Sequence, residues 1–418
     1  MARRFPDFRK AYELYADDKF VPPQFNTWGA LSIIAGALER KVWLPWSHKY
    51  SFYPNIYVML ISKPGVGKSV ALKNAVDVLL NVNRKTSMLN IMPSQVTEAK
   101  FIELMGTGRS FIDRSGGKEI TVFQNAGYYF ASEASNSLRN IFGDFIACLT
   151  DFYDCPDFWS RATKKDGKRI QLQNVCMNLL AGSTFDYLGK LVSDENIQGG
   201  FASRIIYVVH NEKMVRKQAF QGGLDKADRL ERDEYLLALE HDLQEISSMV
   251  GPMHADAEFG AAWEEWFPRF EEERQSYKSE KLQSVLARTN TNALKIAMLL
   301  SASESGDRVL KLRHWQEALR LIEGVNAQVP DIFQESKASQ SPGKPGNNLA
   351  NFLLRHVKRA EFATLEGTKA AAVAAGHASN SVENTLQSLI AVGTIGTGEV
   401  LAGHGVQLII KGNANDHL

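Results

Sequence analysis

The sequence predicts an α/β fold that is followed by a helical region and a small C-terminal domain. Between residues 51 and 212, short apolar runs alternate with helix-like segments, as expected for a mostly parallel sheet covered by helices. Residues 213–335 are charged and helical in pattern, with few strand signals. Residues 336–347 (SKASQSPGKPGN) contain no side chain that needs burial, which predicts a flexible linker before residues 348–418.

Composition limits the class of protein without identifying it. A chain of 418 residues is expected to form two or three domains. A net charge of +1 excludes a uniformly basic surface, so any nucleic-acid contact must be local. The 3 cysteines form no C-x-x-C pair, which indicates neither a zinc ribbon nor a disulfide framework. Without an export signal or an apolar stretch of ~18 residues, the chain is predicted to be cytoplasmic and to have no membrane partner.

The first elements are predicted to be helices, and the strands of the core follow. Residues 1–50 carry helical signals interrupted by Pro22-Pro23, and the apolar run Trp28–Leu38 is typical of a buried helix. Around Tyr57 the pattern changes to a continuous apolar run (IYVMLIS), which indicates a buried strand, and the helix-like SVALKNAVDVLLNV follows. Further strands are predicted at 127–131 (GYYFA), 175–181 (VCMNLLA) and 205–209 (IIYVV).

A phosphate-binding loop is predicted where the first strand ends. The stretch LISKPGVGKSVAL keeps the Gly-Lys-Ser end of the G-x-x-x-x-G-K-[ST] pattern, but Ser62 stands in place of the first glycine. That glycine only makes the turn out of the strand, which a small serine can also make. Lys68 is expected to reach the β- and γ-phosphates, and Ser69 is expected to ligate Mg²⁺. The alternative is a chance Gly-Lys-Ser in a surface turn. The predicted ATP-binding residues are Ser62, Gly65, Val66, Gly67, Lys68, Ser69 and Val70.

A carboxylate that activates water is predicted directly after the strand GYYFA. A nucleoside triphosphatase needs such a group beside the attacking water, and Glu133 is the candidate. Ser132 takes the position usually held by a metal-binding aspartate, where a hydroxyl can hold a metal-bound water but brings no charge. The alternative is that Glu133 only caps the next helix.

A hairpin is predicted between Asp157 and Asn174. Strand-like segments, WSRAT and RIQLQ, flank Asp166-Gly167, which is a strong signal for a two-residue turn. The alternative to a functional role is a solvated hairpin, as charge runs at turns usually are. We name its four cations the basic tip: Lys164, Lys165, Lys168 and Arg169.

The last residues predict a winged helix, because three helical segments precede a two-stranded hairpin with glycines at its turn. The predicted helices span 349–357, 367–375 and 381–392, and the hairpin spans 394–410.

The order of these motifs resembles the AAA+ ATPases, and within them the minichromosome-maintenance helicases and the phage and plasmid replicative helicases. NLLAGSTF is similar to the strand that ends in a polar sensor beside the γ-phosphate, which implies that role for Ser183 or Thr184. GGFASRIIYVV resembles the segment that places an arginine finger, here Arg204. LARTNTNALKIAMLLSAS and RVLKLRHWQEALRLIE are similar to two lid helices, of which the first carries a second sensor arginine, here Arg288.

The resemblance covers roughly residues 51–410. It implies a P-loop NTPase core at 51–212, a helical lid at 213–335 and a winged helix at 348–418. It also implies that Arg204 reaches a neighbouring subunit's nucleotide and that the basic tip projects into the pore of a ring. Each arginine has the alternative role of a salt-bridge partner. The chain departs from these helicases in lacking the metal-binding aspartate and an N-terminal primase or zinc module.

The expected function is a ring-forming, ATP-dependent DNA helicase or translocase in replication, of the kind found in phages and mobile elements. It would use ATP and Mg²⁺, form a homo-oligomeric ring that is expected to be a hexamer, and act on single-stranded DNA with other replication proteins. One alternative is an AAA+ helicase loader or remodelling ATPase without unwinding activity. Another is an ATP-controlled winged-helix DNA-binding regulator, which ranks last because the predicted recognition helix 381–392 contains no Lys or Arg.

Overall fold

A central parallel sheet organises the first of two compact units, Met1–Ser339 and Gln340–Leu418. The boundary between the units lies inside the predicted linker. The structure is a computed structural model, and it describes residues 2–17, 21–86, 89–94, 96–131, 144–162, 169–185, 200–210, 212, 226–277, 279–329, 353, 357, 364–374, 379–391, 395–398 and 407–410.

Helices and short strands alternate along the described residues. The helices are α1 (Phe8–Tyr15), α2 (Pro23–Leu38), α3 (Lys68–Thr86), α4 (Glu98–Met105), α5 (Asp144–Tyr153), α6 (Lys226–Ser247), α7 (Ala257–Ser276), α8 (Glu280–Leu286), α9 (Thr289–Glu304), α10 (Leu312–Asn326), α11 (Leu365–Ala374) and α12 (Ser379–Ala391). The strands are β1 (Val42–Ser47), β2 (Tyr50–Phe52), β3 (Tyr57–Ile61), β4 (Ile91–Met92), β5 (Arg109–Asp113), β6 (Ile120–Ala131), β7 (Phe158–Ala162), β8 (Arg169–Gln173), β9 (Val175–Ser183), β10 (Ile205–Val209), β11 (Gly251–Pro252), β12 (His254–Ala255), β13 (Val309–Leu310), β14 (Ile395–Gly398) and β15 (Gln407–Ile410). Within the described part of the chain, no helix has the length and apolar character needed to cross a membrane.

The sheet has the strand order β10-β3-β9-β6-β4, with all of these neighbours parallel. Ile61 at the end of β3 pairs with Val209 on one side and Ser183 on the other, so these three strands end at one edge. All residues of β3, β9 and β10 are buried, which explains their continuous apolar runs. The predicted α/β fold with a central parallel sheet is confirmed.

Two hydrophobic cores cover the two faces of this sheet. One contains side chains of α1, α2, α3, α6, α9 and α10 together with Val58, Leu60, Leu180 and Val208. The other contains side chains of α4, α5 and α8 together with Tyr57, Met59, Leu179 and Tyr207. The alternation of side chains along each buried strand therefore feeds both cores.

The N-terminal 50 residues contain strand residues in addition to the helical segments that the sequence indicated. The buried helix around Trp28 is present as α2, but it ends before Glu39, whose φ of 53° is incompatible with a continuing right-handed helix. The next residues form β1, which pairs in parallel with β11 and in antiparallel with β2. The partner strand β11 lies some 200 residues along the chain, so local sequence does not reveal this pairing.

The predicted strand GYYFA is only the second half of β6. The first half pairs in antiparallel with β5, from Arg109–Gln124 to Asp113–Ile120. β6 therefore extends beyond the parallel sheet as a hairpin that the sequence did not predict.

The second unit contains α11, α12 and the antiparallel pair β14–β15. Its core is a small cluster formed by Leu353, Val357, Ala372, Val382, Leu386 and Ile395. Most of the predicted helix 349–357 lies outside the described residues, so the winged helix remains a prediction.

Candidate functional site

The predicted phosphate loop connects the buried strand β3 to the 19-residue helix α3. Gly65 and Gly67 have φ angles of 83° and 81°, a region in which only glycine is unstrained. A Cβ atom at Gly65 would meet nothing within 4 Å, so backbone conformation and not space requires this glycine. Ser62 is buried and has no positive φ, and its N–H donates to the Ser183 carbonyl at 3.4 Å. The serine therefore continues the sheet and does not need the freedom of glycine.

Backbone donors are available along this loop. The N–H groups of Gly65, Val66 and Gly67 have no acceptor among the described residues. The Gly67 carbonyl accepts from the N–H groups of Val70 and Ala71 at 3.0 and 3.1 Å, which starts α3 directly behind the loop. Open N–H groups at the positive end of a helix form a concavity that can bind an anion.

Lys68 links the loop to the neighbouring strand β9. Its side chain is only 7% exposed, and Nζ donates to the Ser183 carbonyl at 2.5 Å. The Ser183 hydroxyl donates to the Thr184 carbonyl at 3.2 Å. The carboxyl edge of the sheet thus brings together Ser62, Lys68, Ser183 and Thr184, while the exposed Ser69 and Val70 begin α3 beside them.

The predicted catalytic carboxylate stays a prediction. Ser132 and Glu133 lie outside the described residues, as β6 is described only to Ala131. β9 separates β6 from β3, which puts the end of β6 about 10 Å from the end of β3.

The two predicted catalytic arginines lie together at the opposite edge of the sheet. Arg204 immediately precedes β10, and Arg288 occupies the N-cap position of α9. Both form ion pairs with the carboxylate of Asp154: Arg204 through Nη2 to Oδ2, and Arg288 through Nη1 to Oδ1 at 3.0 Å. Salt bridging, the alternative role, is therefore observed, although Arg204 is buried and not a surface residue.

Gly200 holds the guanidinium of Arg204 in place. Its carbonyl accepts from Arg204 Nη1 at 2.7 Å. A Cβ atom at Gly200 would meet that nitrogen at 2.7 Å, and the φ of 73° also favours glycine. The Nε atom of Arg204 is buried without a hydrogen-bond partner among the described residues.

A buried tyrosine and a buried lysine complete this cluster. The ring of Tyr153 lies beneath three cations, with Arg204, Arg288 and Lys295 at 5.8, 5.5 and 3.8 Å from its centroid. Lys295 Nζ donates to Asn55 Oδ1 at 2.8 Å. Burial lowers the pKa of Lys295 from 10.5 to about 8, although nearby Cys155, Cys176 and Asp154 raise it. Sequence reasoning missed Asp154, Tyr153 and Lys295, because no local motif marks them.

The predicted hairpin forms as the antiparallel pair β7–β8, in register from Phe158–Gln173 to Ala162–Arg169. Of the basic tip, Arg169 is described and exposed. Lys164, Lys165 and Lys168 lie outside the described residues.

Neither a metal site nor a disulfide is found among the described residues. Among the residues that the structure describes, no group of three or more His, Cys, Asp and Glu side chains is placed to hold a metal ion. The three cysteines are free and buried.

The chain was also compared with known proteins. No protein-family model matches the sequence, and the search of curated proteins found no match.

Proposed function

We propose that this protein is a ring-forming ATPase of the AAA+ type that moves along or unwinds DNA in replication. ATP would bind at the loop between β3 and α3, and single-stranded DNA would be the substrate. The observation that carries the proposal is the strand–loop–helix unit itself. It combines two left-handed glycines, N–H groups that have no acceptor among the described residues, and a buried lysine that reaches the adjacent strand.

The loop has the donors that a triphosphate requires. The open N–H groups of Gly65, Val66 and Gly67 would receive phosphate oxygens, and Lys68 would turn from the Ser183 carbonyl to the β- and γ-phosphates. Mg²⁺, when bound, neutralises charge on those phosphates. The exposed hydroxyl of Ser69 fits that ion as a ligand, and Ser132 is proposed as the second protein group.

The position of the arginines supports a site shared between subunits. Arg204 precedes the first residue of β10 and the loop follows the last residue of β3, with five paired residues between them. At about 3.3 Å per residue this separation is about 16 Å, which exceeds the reach of an arginine side chain. Arg204 and Arg288 would therefore act on the nucleotide of another copy. Such a head-to-tail contact is heterologous and can close into a ring.

The DNA contact is proposed from the hairpin β7–β8. The hairpin leads directly into the first residue of β9, the strand whose other end lies beside the loop. Cations at its tip would contact phosphates without reading bases, so binding is expected to be independent of sequence and to weaken with salt.

The proposal is tested by measuring ATP turnover and strand displacement with wild-type protein and with Lys68→Ala. We expect turnover that single-stranded DNA stimulates, and loss of turnover in the variant. The fold should survive, because the Ser183 carbonyl still accepts from the Ser62 N–H. Lys73→Ala is the matched control, since Lys73 is an exposed lysine of the same helix.

The outcomes separate the alternatives. Turnover that persists in pure Lys68→Ala would show that this loop is not the nucleotide site. Glu133→Gln should bind ATP without hydrolysing it, and normal hydrolysis would remove Glu133 as the base. Turnover without strand displacement under any condition would favour a loader or remodelling ATPase.

A further inference from the structure

One carboxylate, that of Asp154, binds both arginines of the sheet edge opposite the loop. We propose that Asp154 is an internal competitor that occupies the Arg204–Arg288 pair until a phosphate-type anion of another molecule displaces it. The identity of that anion as a neighbour's nucleotide rests on the proposed function. The competition between Asp154 and an anion does not rest on the proposed function, because it depends only on the contacts of Asp154, Arg204 and Arg288.

The contacts of Arg204 show which of its donors Asp154 occupies. Nη1 donates to the Gly200 carbonyl and Nη2 to Asp154, while Nε is buried without a partner among the described residues. The residue is 8% exposed. Each terminal nitrogen therefore uses one of its two N–H donors within the chain, and Asp154 holds the charge-assisted contact for which an incoming anion would compete.

Arg288 is the more accessible member of the pair. Its side chain is 27% exposed, and its ion pair with Asp154 uses Nη1. The Asp154 side chain is 41% exposed, so the bridge between the two arginines lies where an incoming anion can reach it. Arg288 can bind that anion first, and Arg204 can follow as Asp154 leaves.

Charge and shape favour this exchange. Three cations, Arg204, Arg288 and Lys295, surround the Tyr153 ring, whereas Asp154 supplies one negative charge to the arginines. Its two oxygens each take one guanidinium, as two oxygens of a phosphate would. A phosphate brings more negative charge and more acceptor oxygens than the carboxylate, so it can replace Asp154 without leaving either arginine unpaired.

The test measures the binding of inorganic phosphate to the full chain in a Lys68→Ala background, which weakens the phosphate loop as a competing site equally in every variant compared. Isothermal titration at low salt compares this background with Lys68→Ala/Asp154→Asn. Asparagine keeps the size and one acceptor oxygen but loses the charge. We expect phosphate affinity to rise about tenfold, which corresponds to one charge-assisted hydrogen bond regained. Adding Arg288→Ala should abolish the gain.

The matched control is Asp157→Asn in the same background. Asp157 lies three residues further on, pairs with a different arginine, Arg40, and has an exposed side chain. It should leave phosphate affinity unchanged. If Asp154→Asn fails to fold by circular dichroism, Asp154→Ser provides a smaller uncharged acceptor. Unchanged or weaker phosphate binding in the folded variant would overturn the proposal, because removal of a competing carboxylate must raise the affinity of the two arginines for an anion.

A second measurement connects the competitor to turnover. With Lys68 intact, Asp154→Asn should reach half-maximal ATP turnover at a protein concentration about tenfold lower than wild type, because assembly no longer has to displace the carboxylate. A fall in maximal turnover like that of Arg204→Ala would instead make Asp154 a positioning residue and overturn the proposal. If the wild type shows no turnover, the proposed function fails while the phosphate titration still decides the competition.

Discussion

Lys295 allows a quantitative test of the cluster beneath the two arginines. The residue is 3% exposed, and its charge is met by the Asn55 oxygen and the Tyr153 ring. Burial lowers its pKa to about 8 from the ordinary 10.5. The perturbation that we choose is Lys295→Met, which keeps a long apolar side chain and removes the titrating group.

The sign of the effect follows from proton binding. Below about pH 8, Lys295 is protonated in both states and adds no pH dependence. Between about pH 8 and 10.5, the unfolded chain holds a proton that the folded chain has lost, so the free energy of unfolding rises with pH. One pKa unit corresponds to about 1.36 kcal/mol, and the lowered pKa therefore corresponds to about 3 kcal/mol over the whole window.

The assay is urea unfolding of wild type and Lys295→Met across this window. The free energy of unfolding of wild type, relative to that of Lys295→Met, should increase by about 2–3 kcal/mol as pH rises from about 8 to about 10. The exposed Lys73→Met should show no such change. A difference that stays constant with pH would mean that Lys295 titrates as an ordinary lysine and is not desolvated as the structure indicates.

Three further predictions test the shared site, the hairpin and the N-terminal segment. Arg204→Ala should slow turnover ~10³-fold or more, and mixing it with Lys68→Ala should restore activity if subunits exchange; no recovery despite demonstrated exchange would contradict a shared site. Alanine at all four positions of the basic tip should eliminate stimulation of turnover by single-stranded DNA and lower the logarithmic salt slope by ~0.7 for each lost contact, whereas wild-type unwinding would mean a solvated hairpin. Asp242→Ala should cost about 2 kcal/mol in urea unfolding, because this buried carboxylate accepts from the N–H groups of Arg4 and Phe5 at 2.7 and 2.8 Å; a cost no larger than that of the exposed Glu234→Ala on the same helix would refute it.

The strands of the core were predictable because a strand that is buried on both faces has a continuous run of apolar residues in the sequence. β10 occupies the predicted residues Ile205–Val209, and β3 lies within the predicted run IYVMLIS. β1 and β5 were missed, since each is defined by pairing and not by an apolar run. β1 depends on a partner near Gly251, and β5 alternates half-exposed and exposed residues along a hairpin.

The phosphate loop and the arginine cluster, at opposite edges of the sheet, also differ in how far the sequence predicts them. The phosphate loop is contiguous in sequence, so strand, glycines and lysine could be recognised together. The arginine edge is assembled from distant segments: Asp154 lies 50 residues from Arg204 and 134 from Arg288. The resemblance to known ATPases could identify each arginine separately as a candidate. That both arginines bind the same carboxylate is visible only in the tertiary structure.

This separation of the two edges also limits how copies of the chain can share a site. In a twofold dimer, each copy would have to present its arginine edge and its loop to the same partner at once. These features lie at opposite ends of the same strands, about 16 Å apart along β3 and β10. A head-to-tail arrangement needs only one edge of each copy at each interface, so every loop can meet an arginine pair without distortion of the sheet. A heterologous, head-to-tail contact is the arrangement that we propose for this chemistry, and its repetition through a closed rotation would give a ring.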